Sequence, residues 1–161
     1  MKRRGIGVFT AAWGLAVLFL ATSLVPVGAE SEQERQLVKL VNQAAHLVNT
    51  EGEVAFPRFH KKGTMWLEGE TYIFIGDTDG VILVNGGNRR LEGQNLLNTK
   101  DADGKLFIRE FIETVTTRGS GWVRYMWPKP GSAAPAQKMS YVKEAKLGDK
   151  TLFVGAGFYA K

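Results

Sequence analysis

A chain of 161 residues has room for one domain, and the absence of cysteine rules out disulfide support. Of the +5 formal charge, three positives sit on Lys2, Arg3 and Arg4, so the remainder is close to neutral. That balance offers no electrostatic case for a nucleic-acid partner, and with 44% hydrophobic residues an apolar core must supply the stability.

Positions 5 to 29 carry no charge. A basic start, an apolar run and small residues at a cut site read as a secretory signal. Val27 and Ala29 fit the positions before a cut at Glu30, and Pro26 breaks the apolar helix just ahead of them. The rival is an uncleaved anchor over residues 5–27, since ~20 apolar residues span a bilayer. Gly5, Gly7, Gly14, Ser23 and Pro26 make a poor permanent span, so cleavage after Ala29 is the expectation. The domain over residues 30–161 is then periplasmic or secreted, with inner-membrane anchoring as the alternative.

The spacing of Leu37, Leu40, Val41, Ala44, Leu47 and Val48 predicts a helix over Glu32 to Asn49. Ser31 and Glu34 form a capping box at its start, and Pro57 opposes a long continuous helix beyond it. Thr71–Ile75 is β-branched and aromatic, Asp77-Thr78-Asp79-Gly80 is a turn, and Val81–Val84 returns as the second strand of a hairpin. A polar loop from Asn85 to Lys105 precedes a second helix marked by Phe107, Ile108, Phe111, Ile112 and Val115, which Gly119 ends. Three strands follow: Gly121–Trp127, Lys138–Ala145 and Thr151–Tyr159. This order predicts an α+β domain, a five-stranded antiparallel sheet with a long N-terminal helix and a crossover helix packed on it. Such a layout leaves room for a ligand between sheet, helix and loops.

Five blocks, in order, are similar to one known family. They are Tyr72-Ile73-Phe74 to Asp79-Gly80 with Leu91–Leu96; Lys100–Lys105 with the helix through Phe111; Gly121–Pro130; Lys138–Lys143; and Val154–Tyr159. Together they resemble the single Cache domain family over about residues 35–160. The resemblance implies a PAS-like sheet used as an extracytoplasmic sensor of small ligands, often short carboxylates. Such domains usually sit between two membrane spans of a chemoreceptor or histidine kinase. Here the chain stops at Lys161, right after the last strand, so the expectation is a stand-alone exported domain in which binding is the part that carries over.

Catalysis has little support. His46 lies on the first helix and His60 in a basic loop, and both read as packing or surface residues. The sequence has no nucleophile elbow, zinc pattern or phosphate loop, and no cofactor is expected. Asp77–Gly80 and Asp101–Gly104 look like fragments of calcium loops, but neither continues as one, and turn chemistry accounts for both. The more informative set is aromatic and basic. Alternation puts Val123, Tyr125 and Trp127 on one face of their strand and Trp122, Arg124 and Met126 on the other. Lys138 and Tyr141 begin the next strand. A lysine framed by Tyr125 and Trp127 suits a carboxylate whose carbon skeleton the rings cover; the competing reading is a solvated strand-end lysine beside core aromatics. Tyr72, Trp66 and Arg109 are secondary candidates for the same cavity. Two functions stay open: a sensor-type module for a small organic anion, partnered by a membrane-bound receptor or kinase, or an accessory interaction protein of such a sensor that has lost its ligand. A concave site containing Lys138 favours the first, and a filled cavity with no polar group inside favours the second.

Overall fold

The computed structural model describes residues 30–160, so the expected leader, residues 1–29, lies outside the described residues. Helix α1 (Glu32–Glu51) starts as its capping box requires: the Ser31 hydroxyl accepts from the Glu34 amide, and the Ser31 amide donates to the Glu34 carboxylate. It ends at Gly52, whose φ of 63° suits a residue without a side chain. The chain tightens there into a 3-10 helix, Gly52–His60, which holds Pro57. Leu37, Leu40, Val41, Ala44 and Val48 are buried as the spacing requires, and Ala45 joins them. Leu47 departs from expectation: it is only half-buried at the stripe's edge. Leu40→Ala is therefore expected to cost ~2–5 kcal/mol in denaturant unfolding, Leu47→Ala less. Lys39→Ala stays within ~0.5 kcal/mol; equal losses at Leu40 and Lys39 contradict this packing.

The predicted strand Thr71–Ile75 divides at Ile73. Its amide donates to Trp66 and its carbonyl accepts from Gly86, so the residues before it serve a different partner. Thr71–Tyr72 (β2) pairs with Leu67–Glu68 (β1) as a separate small ribbon. Phe74–Asp77 (β3) and Ile82–Asn85 (β4) form the expected hairpin. Its turn is held by the Asp77 carboxylate, which accepts from the amides of Asp79 and Val81. Helix α2 (Phe107–Arg118) closes on Gly119 in the left-handed conformation. The antiparallel meander Ser120–Pro128 (β5), Pro135–Leu147 (β6) and Lys150–Tyr159 (β7) completes the domain.

The five-stranded sheet has the order β4-β3-β7-β6-β5, so the first hairpin adds to the last strand and β7 lies at the centre. Strand alternation sorts its side chains onto two faces. Ile73, Ile75, Val84, Leu152, Val154 and Ala156 pack under α1. Phe74, Val123, Tyr125, Val142 and Phe153 pack under α2 with Phe107, Phe111 and Val115. Each face thus has its own cover, and the α2 face carries the polar interior.

Candidate functional site

On the α2 face, β6 places Lys138 between Tyr125 of β5 and Tyr159 of β7, each directly opposite it in register. Lys138 is 0% exposed, and its side-chain nitrogen has no hydrogen-bond partner among the described residues. Rings surround it instead: Nζ lies 3.8 Å from the Tyr72 ring centroid, 5.0 Å from Tyr159 and 5.6 Å from Phe74. Gly157 makes room for the lysine stem, since a Cβ there would stand 2.8 Å from Lys138 Cε and collide with Ser140 Oγ. Two rungs along, the Tyr125 and Ser140 hydroxyls pair at 3.2 Å. The Tyr159 hydroxyl donates to the Pro128 carbonyl at 2.7 Å.

A cation in this position faces two opposing effects. Aromatic faces attract it, by about 2 kcal/mol or more when desolvated, but removal from water penalises the charged form more strongly. Burial accordingly pushes the Lys138 amine well below the ordinary lysine range, against a small opposing pull from Glu70. Burial also raises the Tyr72, Tyr125 and Tyr159 phenols above their ordinary values, so they remain uncharged at neutral pH. Among the described residues this buried cluster contains one ionisable nitrogen and no carboxylate.

Tyr72 covers Lys138, its ring 3.8 Å from Nζ, and also faces the surface. On its outer side opens a cleft of about 360 Å³, lined also by Gly87, Arg90, Trp127 and the Pro128–Ser132 turn. Gly87 lets that wall close on the ring, since a Cβ there would reach within 2.6 Å of the Tyr72 ring carbon Cζ. At the rim the Lys129 ammonium pairs with Glu70 at 2.9 Å and lies 5.5 Å from the Tyr159 ring. A larger groove of about 660 Å³ runs along α1 past Val38, Leu47 and Trp66. Its cations Arg35 and Lys39 are exposed and Glu30 lies beside them, so it provides no desolvated cation to hold an anion.

The sequence candidates separate cleanly on this geometry. Lys138, Tyr125, Trp127 and Tyr72 come together, and Tyr72 stands nearest the lysine although it ranked as secondary. Tyr141 falls on the opposite face, packed on Trp122, with its hydroxyl donating to Ser120. Three residues separate it from Lys138, an odd step that alternation sends to the other side. Arg109 is exposed on α2 and holds the preceding loop through the Leu97 carbonyl and the Asn98 side chain. Trp66 packs edge-on against Phe59 under α1. Sequence reasoning missed Tyr159, Ser140, Gly157 and Phe74. The signal available was Gly155-x-Gly157-x-Tyr159, where two same-face glycines mark space taken by large neighbours.

The remaining polar candidates serve the scaffold. The Asp101 carboxylate accepts from the amides of Asp103, Lys105 and Met126, tying the loop before α2 to β5. His46 is exposed, and His60 lies 3.3 Å from Glu92, its imidazole pulled below the ordinary range chiefly by burial. Among the described residues no three His, Cys, Asp or Glu side chains converge as a metal group, and no helix is long and apolar enough to cross a membrane.

A family model described as "Cache domain" matches residues 60–161, most of the chain. The chain belongs to the Cache domain family. A solved structure described as the periplasmic sensor domain of a chemotaxis protein shares 31% identity with this Cache domain at a TM-score of 0.68. The match covers 83% of this chain and all of that one. A second, described as "Structural basis for carboxylic acid recognition by a Cache chemosensory domain", shares 26% identity at the same TM-score, over 80% of this chain and 94% of that one. Among curated proteins, the methyl-accepting chemotaxis protein McpP of Pseudomonas putida is 30% identical over 56% of this chain. The sensor histidine kinase MctS of Rhizobium johnstonii is 35% identical over 55%. The matched stretch is 16% of the receptor and 18% of the kinase, so this Cache domain spans less than a fifth of the curated relatives it matches.

Proposed function

We propose that this Cache domain is an extracytoplasmic sensor module that binds a short carboxylate in the Lys138 chamber and passes occupancy to a membrane-bound receptor or kinase. The observation that carries the reading is the Lys138 amine: fully buried, ringed by Tyr72, Tyr159 and Phe74, and without an acceptor among the described residues. A buried charge is tolerated when it is paired. A carboxylate supplies the missing partner, and the rings shield its short carbon chain. Tyr72 turns aside to admit it from the outer cleft. The carboxylic-acid-binding structure and the chemoreceptor and kinase relatives support the ligand class and the signalling context. The accessory-protein alternative calls for an interior with no polar group, and Lys138 with Ser140 argues against it.

The test is calorimetric titration of the purified protein with acetate, propionate and butyrate against their uncharged amides. The acids are expected to bind and the amides to fail, since only the acids satisfy the ammonium. A bound acid at 100 times its Kd also adds ~2.7 kcal/mol to stability, visible as a rise in Tm. Equal responses to acids and amides contradict the reading.

A further inference from the structure

Pairing a buried amine with a carboxylate raises the question of where the ion pair's proton comes from. The answer lies in what faces Lys138 from each neighbouring element. From β2 comes Tyr72, from β5 Tyr125 and from β7 Tyr159, all phenols, while β3 contributes Phe74. Helix α2 adds only apolar side chains to this cluster, Phe107, Ile108, Phe111 and Val115. Among the described residues the carboxylate that acts on Lys138 is Glu70, already held by Lys129, and Arg90 beside the cleft is another cation. None of these groups is an anion free to keep a proton on Nζ in the empty chamber.

Resting on the binding reading above, we infer that this site takes up a carboxylate together with a proton, capturing the elements of the uncharged acid and losing affinity as pH rises. Without a bound anion, burial among rings favours the neutral amine. The carboxylate arrives from water, a solvent proton joins the Lys138 nitrogen, and the ammonium–carboxylate pair forms with no net charge buried. Burial, which pushes the free amine well below its ordinary range, supports the first state; the nearby carboxylate reverses that shift in the second. The sign follows from linkage: where the free site holds no proton and the occupied site holds one, each pH unit weakens apparent affinity about tenfold. Below the free amine's pKa the dependence flattens. An extracytoplasmic sensor built this way reports acid and acidity together.

The experiment titrates the purified full chain with acetate near pH 7 in buffers of different ionisation enthalpy. Observed binding heat is expected to vary with buffer as the uptake of about one proton requires. In parallel, the Cε resonance of Lys138, assigned by its loss in Lys138→Met, is followed through pH without ligand. Its inflection is expected well below that of the other lysines and returns upward with saturating acetate. Binding without proton uptake, with Lys138 titrating like the surface lysines, overturns the inference and leaves the carboxylate reading intact. Failure of acetate, propionate and butyrate alike to bind at about pH 6, where the ammonium is more populated, removes the binding reading and this inference with it.

Discussion

Lys138→Met is expected to weaken binding of a short carboxylate at least ~30-fold while leaving the free protein as stable as before, or more so. Methionine keeps most of the stem's length and its contacts with the Tyr72 and Tyr159 rings, so packing in the chamber persists. What disappears is the one buried cationic group among the described residues of the site, and losing one partner of a buried charge pair costs ~2–5 kcal/mol. Without ligand the balance is the opposite: the wild type buries an amine with no acceptor, and replacing it by an apolar side chain removes that cost. The pH dependence of free stability separates the two proteins further. A lysine whose folded pKa is depressed is less protonated when folded than when unfolded, so wild-type stability rises with pH between that depressed value and the ordinary lysine value. Lys138→Met lacks this rise. The raised phenols act in the other direction, favouring unfolding only above pH about 10, where unfolded tyrosines ionise. Denaturant titrations of both proteins across neutral and mildly alkaline pH, with calorimetric Kd values beside them, provide the comparison. Unchanged affinity places Lys138 outside the site.

Phe111→Ala is expected to produce the largest loss of stability, ~3–5 kcal/mol. This residue is 1% exposed and holds α2 on the sheet through three strand rings, with Phe107 of the same helix beside it. Its ring stacks on Phe74 at 5.3 Å and meets Tyr125 at 5.2 Å, Phe153 at 5.6 Å and Phe107 at 5.7 Å. Truncation leaves a cavity bounded by three strands and a helix, which collapses poorly because Phe107 is itself stacked flat on Tyr125 at 4.8 Å. Tyr125 and Phe74 are chamber residues, so carboxylate affinity is expected to fall as well. Phe111→Leu, which keeps much of the volume, is expected to lose less on both counts. Denaturant midpoints and m-values measure the stability loss. A loss below ~1 kcal/mol for the alanine variant contradicts the view that this ring anchors the helix.

Reading the sequence located every main element because periodicity is a local property. The stripe on α1, the Ser31–Glu34 box, the Asp77–Gly80 turn and the Gly119 stop each depend on residues within a few positions of one another. The misread portions are those where a distant partner intervenes. Thr71–Ile75 has the composition of one strand, yet Trp66 and Gly86 capture the backbone of Ile73 and divide it. Leu47 fits the stripe by spacing but lies at its edge, because the depth of a helical position depends on the shape of the sheet beneath it.

The same distinction governs the site. Alternation by itself put Tyr125 and Trp127 on one face, and the meander made Lys138 a neighbour of Tyr125, because hairpin-linked strands pair with what precedes them. Tertiary structure decided the rest. Insertion of β7 between β3 and β6 brought Tyr159, Gly157 and Phe74 to the lysine, and the β1–β2 ribbon laid Tyr72 over it. It also left Arg109 in solvent, whereas Tyr141's place on the α1 face followed from alternation, an odd step along β6 from Lys138. A residue's type announces that it can hold a charge or stack a ring. Whether water reaches it depends on which strands lie beside it, and that is a contact between positions far apart in the chain. Lys138 shows the difference: as a strand-end lysine it reads equally as solvated or as a ligand contact, and only the closing of three strands and a helix around it makes it a buried amine without a partner.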